Sequence, residues 1–173
     1  MVFFLIIGLG NPDEKYQLTR HNAGQIILHK LFPSASWLEN KKLKALIAKS
    51  AGFVLVKPLV FMNEVGQAVK SVKNYYCVPV KKILIIHDDS DIIVGKYKLQ
   101  LNKSSAGHKG VESIIQHLGT KDFWRLRIGV KPQDNSWPAE KLVLKKFNQA
   151  ELKKLMRLNL TYDLIEKIMG ENK

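Results

Sequence analysis

The run Ile83-Leu84-Ile85-Ile86 constrains this chain more than any other stretch. A segment that apolar has no face for solvent, so it predicts a strand in a sheet covered on both sides. It ends in His87-Asp88-Asp89-Ser90-Asp91, three carboxylates crowded together in a chain whose net charge is +13. Like charges that close cost free energy unless something positive or polar compensates them. Asp88, nearest the strand, is the candidate for an oriented, partly buried partner. Asp89 and Asp91 equally suit a solvated turn or a helix cap.

A second apolar run, Phe3-Phe4-Leu5-Ile6-Ile7, predicts a central strand over 2–7. It leads into GLGNPDEKYQLTRHNAG, residues 8–24. Glycine permits a sharp turn and a close ligand approach, and Pro12 biases Asn11 towards an extended conformation. Loops leaving strands in this way are where α/β proteins place ligands. This one carries an amide, Asn11, and an imidazole, His21. A dinucleotide fingerprint is the rival reading. It fails because Asp13 stands where the third glycine belongs and no helix pattern starts at once.

The remaining pattern alternates strands and helices. Ile26, Ile27 and Leu31 give a helix over 22–31, and 34–40 reads as a loop. Residues 43–50 and 53–57 read as a β-hairpin turning at Ala51-Gly52. Val65, Val69 and Val72 stripe a helix over 64–76, with Asn63 at its N-cap position. A half-exposed strand over 95–101 precedes a polar loop, a helix over 108–118 and an alternating strand over 124–131. Residues 141–147 read as a short strand or extended segment, and Asn148 caps a last helix over about 149–169. The expected fold is α/β, a single domain over 1–173 with a mixed twisted sheet covered by helices on both faces.

Charge and cysteine content bound the partners and the compartment. Lys+Arg number 28 against 15 Asp+Glu, which on a small domain points to a polyanion. The single cysteine, Cys77, forms no internal disulfide and reads as a small core or edge residue. With no signal-peptide pattern and no apolar run of membrane length, a cytoplasmic protein without a membrane partner is expected.

Asn11, His21, Asn63 and Asp88 gather at presumed strand ends. A His-Asp pair without a Ser or Cys nucleophile points to direct attack by water. The imidazole takes the proton, the carboxylate fixes the tautomer, and the amides orient water or donate to an oxyanion. Capping is the competing role of Asn63. A metal is the competing use of His and Asp, but the five histidines are scattered and form neither H-x-x-x-H nor H-E-x-x-H. His29 and His117 suit helix packing, and His87 and His108 suit structural hydrogen bonding near the site. Lys96, Lys98, Lys103, Lys109, Arg125 and Arg127 follow the Asp88 strand. Each alone is a surface charge; together they suit a phosphate backbone.

These motifs resemble those of the bacterial peptidyl-tRNA hydrolase family. They are GLGNP (8–12), Tyr16 followed by TRHNAG (19–24), KPLVFMNEVGQAV (57–69), IHDDSDIIVG (86–95), GHKG (107–110) and FWRLRIGV (123–130), in the family's order. The resemblance implies hydrolysis of the peptide–tRNA ester by a monomer without cofactor or metal. It implies His21 as base, Asp88 as its partner, and Asn11, Tyr16, Asn63 and Lys109 as substrate-binding positions. Arg127, with Lys98 and Lys103, falls on the tRNA-phosphate positions. Two departures stand out. Lys109 replaces a substrate-contacting asparagine, and Gln100 replaces a lysine of the phosphate clamp. The glycine-poor loop 102–107 is expected to be stiffer. A noncatalytic RNA-binding member of the same fold is the alternative.

Overall fold

The computed structural model describes residues 4–50, 52–134, 136–161 and 165. Its strands are β1 (Phe4–Gly8), β2 (Leu38–Asn40), β3 (Ala45–Ser50), β4 (Phe53–Pro58), β5 (Ile83–Ile93), β6 (Tyr97–Leu101) and β7 (Trp124–Lys131). Its helices are α1 (Ala23–Leu31), α2 (Val65–Tyr75), α3 (Lys109–Leu118), α4 (Ala139–Leu142) and α5 (Gln149–Met156). The strands form one sheet in the order β2-β3-β4-β1-β5-β7-β6. Four central strands, β4, β1, β5 and β7, run parallel, while β2–β3, β3–β4 and β6–β7 pair antiparallel. The sheet is mixed and covered on both faces, as its apolar strands require.

Alternation along the strands builds two cores. Ile6, Leu84, Ile86, Leu126 and Ile128 face Ile27 and Leu28 of α1 and Leu155 of α5. Leu5, Ile7, Ile83 and Ile85 face Val65, Val69 and Val72 of α2 and Val111 and Ile114 of α3. Gly24, in the first turn of α1, permits the close seating of that helix. A Cβ there would lie 2.1 Å from the Ile86 carbonyl oxygen and 2.6 Å from the Leu9 nitrogen.

Several elements depart from the periodicity. The loop expected over 34–40 ends in β2, a three-residue edge strand that pairs with β3. β5 continues past His87 to Ile93, because β7 pairs with it through Asp88 and Asp89 and rejoins it at Ile93. Residues 139–142 form α4, which overlaps the segment 141–147 that reads as extended, and only Lys146 makes an isolated bridge, to Thr19. The last helix starts with the expected Asn148 cap, completed by Glu151 as a capping box, but ends at Met156. Leu158 and Leu160 remain buried beyond it. Leu164 and Ile168 of the expected helix, and Val2 of the first strand, lie outside the described residues. Cys77 is exposed and has φ 53, so it is a turn residue and not part of the core.

Candidate active site

The cleft forms where the parallel strands end. The loop after β1 supplies Asn11, the 3₁₀ turn Arg20–Asn22 before α1 supplies His21, and β5 supplies Asp88. Phe61, Met62 and Asn63 follow β4, His108 and Lys109 begin α3, and Val143 and Leu144 follow α4 on the opposite wall. The cavity measures about 660 Å³. Asparagines clasp the loop to the turn. The Asn11 N–H donates to Asn22 Oδ1 at 2.9 Å, and Asn22 Nδ2 donates to the Asn11 carbonyl at 3.1 Å. The Met62 N–H donates to Asn11 Oδ1 at 2.9 Å, which fixes the amide orientation and leaves its NH₂ as the donor for a ligand.

Asp88 is buried, and its Oδ1 lies 2.8 Å from His21 Nδ1 and 2.8 Å from His108 Nε2. Burial alone would raise the Asp88 carboxyl. Attraction to His108 and His21, with the hydrogen bonds they supply, outweighs burial and holds it well below the usual carboxylate range. An ionised carboxylate only accepts, so both nitrogens facing it carry protons. His108 agrees, because its Nδ1 accepts from the Val111 N–H at 3.2 Å and caps α3. In the neutral ring that proton leaves Nε2 as the free nitrogen, and His21 lines the cleft.

His87 is a third imidazole beside this pair. Its Nδ1 meets the Asp88 carbonyl oxygen at 2.7 Å, its ring packs edge-on to His108 with centroids 4.7 Å apart, and its Nε2 is buried without a partner among the described residues. Burial, reinforced by His108, pushes His87 well below the ordinary imidazole range despite Asp88. It is a neutral wall of the site.

The ligating atoms of His21, Asp88 and His108 lie within 4.8 Å of one another, a spacing that also suits a metal. To bind one through Nε2, His108 would have to move its proton to Nδ1 and give up the Val111 cap. The proton network satisfies all three groups as they stand.

The structure brings Asn11, His21, Asn63, Asp88 and Lys109 together around one cleft. Asn63 lies in a 3₁₀ turn, Met62–Glu64, and makes no side-chain cap to α2, so its expected alternative role is not the one found. Tyr16 stands outside the cleft wall and packs edge-on to Phe61, centroids 6.4 Å apart. Asp89 is buried, not in a solvated turn; Arg127 Nε donates to its Oδ2 and Arg127 Nη1 donates to Gln100 Oε1 at 2.8 Å. Lys98 is the β6 neighbour of Arg127, and both it and Lys103 are exposed. In the loop, Ala106 takes φ 50, a conformation that a glycine adopts without strain.

Residue-type reasoning leaves two contributors without a specific role. His108 is the second donor to Asp88, and its position one residue before the start of α3 is the available signal. The wall at Ala139–Leu144 has no signal, because its role comes from pairing with the His21 turn. The Arg20 N–H donates to the Lys145 carbonyl at 3.0 Å, and the His21 N–H to the Val143 carbonyl at 2.8 Å.

Known proteins share this sequence and fold. The family described as peptidyl-tRNA hydrolase matches residues 5–172. A peptidyl-tRNA hydrolase of Mesoplasma florum is 38% identical over 157 residues, covering 88% of this chain and 84% of that protein. One of Bacillus thuringiensis subsp. konkukian is 40% identical over 157 residues, covering 86% and 82%. The crystal structure of the Acinetobacter baumannii peptidyl-tRNA hydrolase superposes with a TM-score of 0.81 at 28% identity, covering 98% of this chain and 93% of that one. On this agreement of sequence and fold along nearly its whole length, the chain belongs to the peptidyl-tRNA hydrolase family.

Proposed function

We propose that this protein hydrolyses the ester joining a peptide to the 3′ end of tRNA. The observation that carries the reading is the His21–Asp88 contact, which turns Nδ1 to the carboxylate and, in the neutral ring, leaves Nε2 free to take a proton in a cleft of about 660 Å³. His21 takes a proton from water as its oxygen attacks the ester carbonyl. The tetrahedral intermediate breaks its bond to the ribose oxygen, and the proton passes from His21 to that leaving oxygen. Peptide carboxylate and free tRNA result. Asp88 holds the tautomer and steadies the imidazolium, a role of about 10²–10⁴-fold in rate for the base it supports. The Asn11 and Asn63 amides orient water or donate to the oxyanion. Tyr16, which packs on Phe61, and Lys109 bind the substrate, and Arg127, with Lys98 and Lys103, receives a tRNA phosphate.

The protein acts as a monomer and a single domain in the cytoplasm, without cofactor or metal. Among the described residues no helix is long and apolar enough to cross a membrane. Release of peptide from purified N-blocked aminoacyl-tRNA, compared with His21→Ala, tests the reading. Multiple turnover lost in His21→Ala with the fold retained is expected. Salt-sensitive tRNA binding without turnover in the parent protein would replace it with the noncatalytic RNA-binding reading.

A further inference from the structure

A second depression, of about 650 Å³, lies on the sheet face opposite to Arg127. Val94, Gly95, Lys96 and Tyr97 form one side, at the turn from β5 to β6, and Lys154, Arg157, Leu158 and Asn159 form the other, at the end of α5. Leu158 and Val94 belong to the core under α1 and α5, whereas Arg127 points to the face of α3, so this is not the phosphate position already described. Three cations, Lys96, Lys154 and Arg157, surround the depression and are exposed. None forms an ion pair among the described residues. Glu151, the buried acid of α5, is paired with Arg20. Tyr97 Oη donates to the Asn159 carbonyl at 3.3 Å and ties the two walls together. The rim is cationic, and Lys and Arg side chains are the groups that contact a phosphodiester backbone.

The depression lies close to the cleft along the chain. Asp91 lines the first cavity and Gly95 the second, four residues apart on the same strand exit, on the order of 13 Å along an extended chain. A polyanion that runs from the cleft past the β5–β6 turn would meet this depression.

We infer that the α5–β6 depression is a second RNA-backbone site that grips the tRNA body of the substrate away from the cleaved ester. The inference rests on the proposed hydrolysis for its substrate. The test uses the full chain with Lys154→Gln and Arg157→Gln together. The charge-matched control is Lys41→Gln with Lys42→Gln, exposed residues between β2 and β3. Removal of two phosphate-neutralising cations predicts a salt slope for tRNA binding shallower by about 1.4–1.8 and a KM for full-length peptidyl-tRNA raised roughly tenfold. The turnover number, hydrolysis of a peptidyl ester of the trinucleotide CCA, and the control double variant should all be unchanged. The inference is overturned if KM and slope stay at the parent values, if the control raises KM equally, or if the trinucleotide ester suffers the same loss. Titration of deacylated tRNA reads the slope without turnover, so failure of the hydrolysis reading is distinguishable from failure of this one.

Discussion

Asp88 Oδ1 receives one hydrogen bond from His21 Nδ1 and another from His108 Nε2, each at 2.8 Å. One carboxylate oxygen thus orients two imidazoles. Asp88→Asn removes the charge that steadies an imidazolium at His21. The expected outcome is a fall in kcat of about 10²–10⁴-fold with little change in KM, read by steady-state kinetics on N-blocked aminoacyl-tRNA. A variant with parental kcat would remove Asp88 from the mechanism.

His108→Asn separates two roles of one side chain. Asparagine is a good N-cap, so α3 keeps its start while Asp88 loses a donor. We expect kcat to fall about tenfold, equivalent to about 1.4 kcal/mol, with the thermal midpoint nearly constant. A large drop in midpoint with parental kcat would make His108 a structural cap alone.

His87 makes stability sensitive to mild acid. Its folded-state affinity for a proton is depressed by burial, so below an unfolded value of about 6.5 the unfolded chain binds more protons. Stability then falls as pH drops below that value, by at most about 1.4 kcal/mol per pH unit for this one group. The groups facing it are His108, Asp88 and Arg125. Asp88, also depressed, acts in a different window. Its contribution is complete above its unfolded value of about 3.9 and is lost only as pH falls from there through its folded value. Urea midpoints at pH 7 and pH 5 check this. His87→Asn is expected to lose less stability across that interval than the parent, and an equal loss contradicts the assignment.

The turn that carries His21 is pinned from the residue before it. Arg20 is buried, donates from Nη2 to both Glu151 carboxylate oxygens at 3.0 Å and from Nη1 to the Val130 carbonyl at 3.0 Å. Its guanidinium also sits over the Phe147 ring, 4.9 Å from the centroid. Glu151→Ala leaves that cation without its carboxylate and should cost about 3–5 kcal/mol by denaturant unfolding. A cost below about 1 kcal/mol would show that the pair contributes no more than a surface ion pair.

Gly24→Ala tests the seating of α1. The added Cβ meets backbone at the Ile86 carbonyl and at Leu9, neither of which rotates away. Displacement of α1 from the sheet would shift His21 as well as destabilise the fold. We expect loss of both the cooperative melt at parental temperature and the activity. A variant that melts like the parent would show that the helix has slack here.

Features with local signals are legible in the chain itself. The apolar runs at Phe4–Ile7 and Ile83–Ile86 specify strands buried on both faces, and the spacing of Val65, Val69 and Val72 specifies one face of α2. Ordered motifs draw His21, Asp88, Asn11 and Asn63 to a single site, and the fold places all four on one cleft. Other features depend on partners distant in the chain. The acidic run stays in a strand because β7 supplies its hydrogen bonds, and Asp89 is buried with its carboxylate accepting from Arg127 of that neighbouring strand. Residues 141–147 read as a short strand or extended segment by pattern, but Thr19, Arg20 and His21 hold their backbone from over a hundred residues away. His108 reaches Asp88 only because α3 packs beside α2 on the same sheet face. Periodicity reports which residues seek burial, whereas the choice of partner for a polar group belongs to packing, where elements far apart in the chain meet.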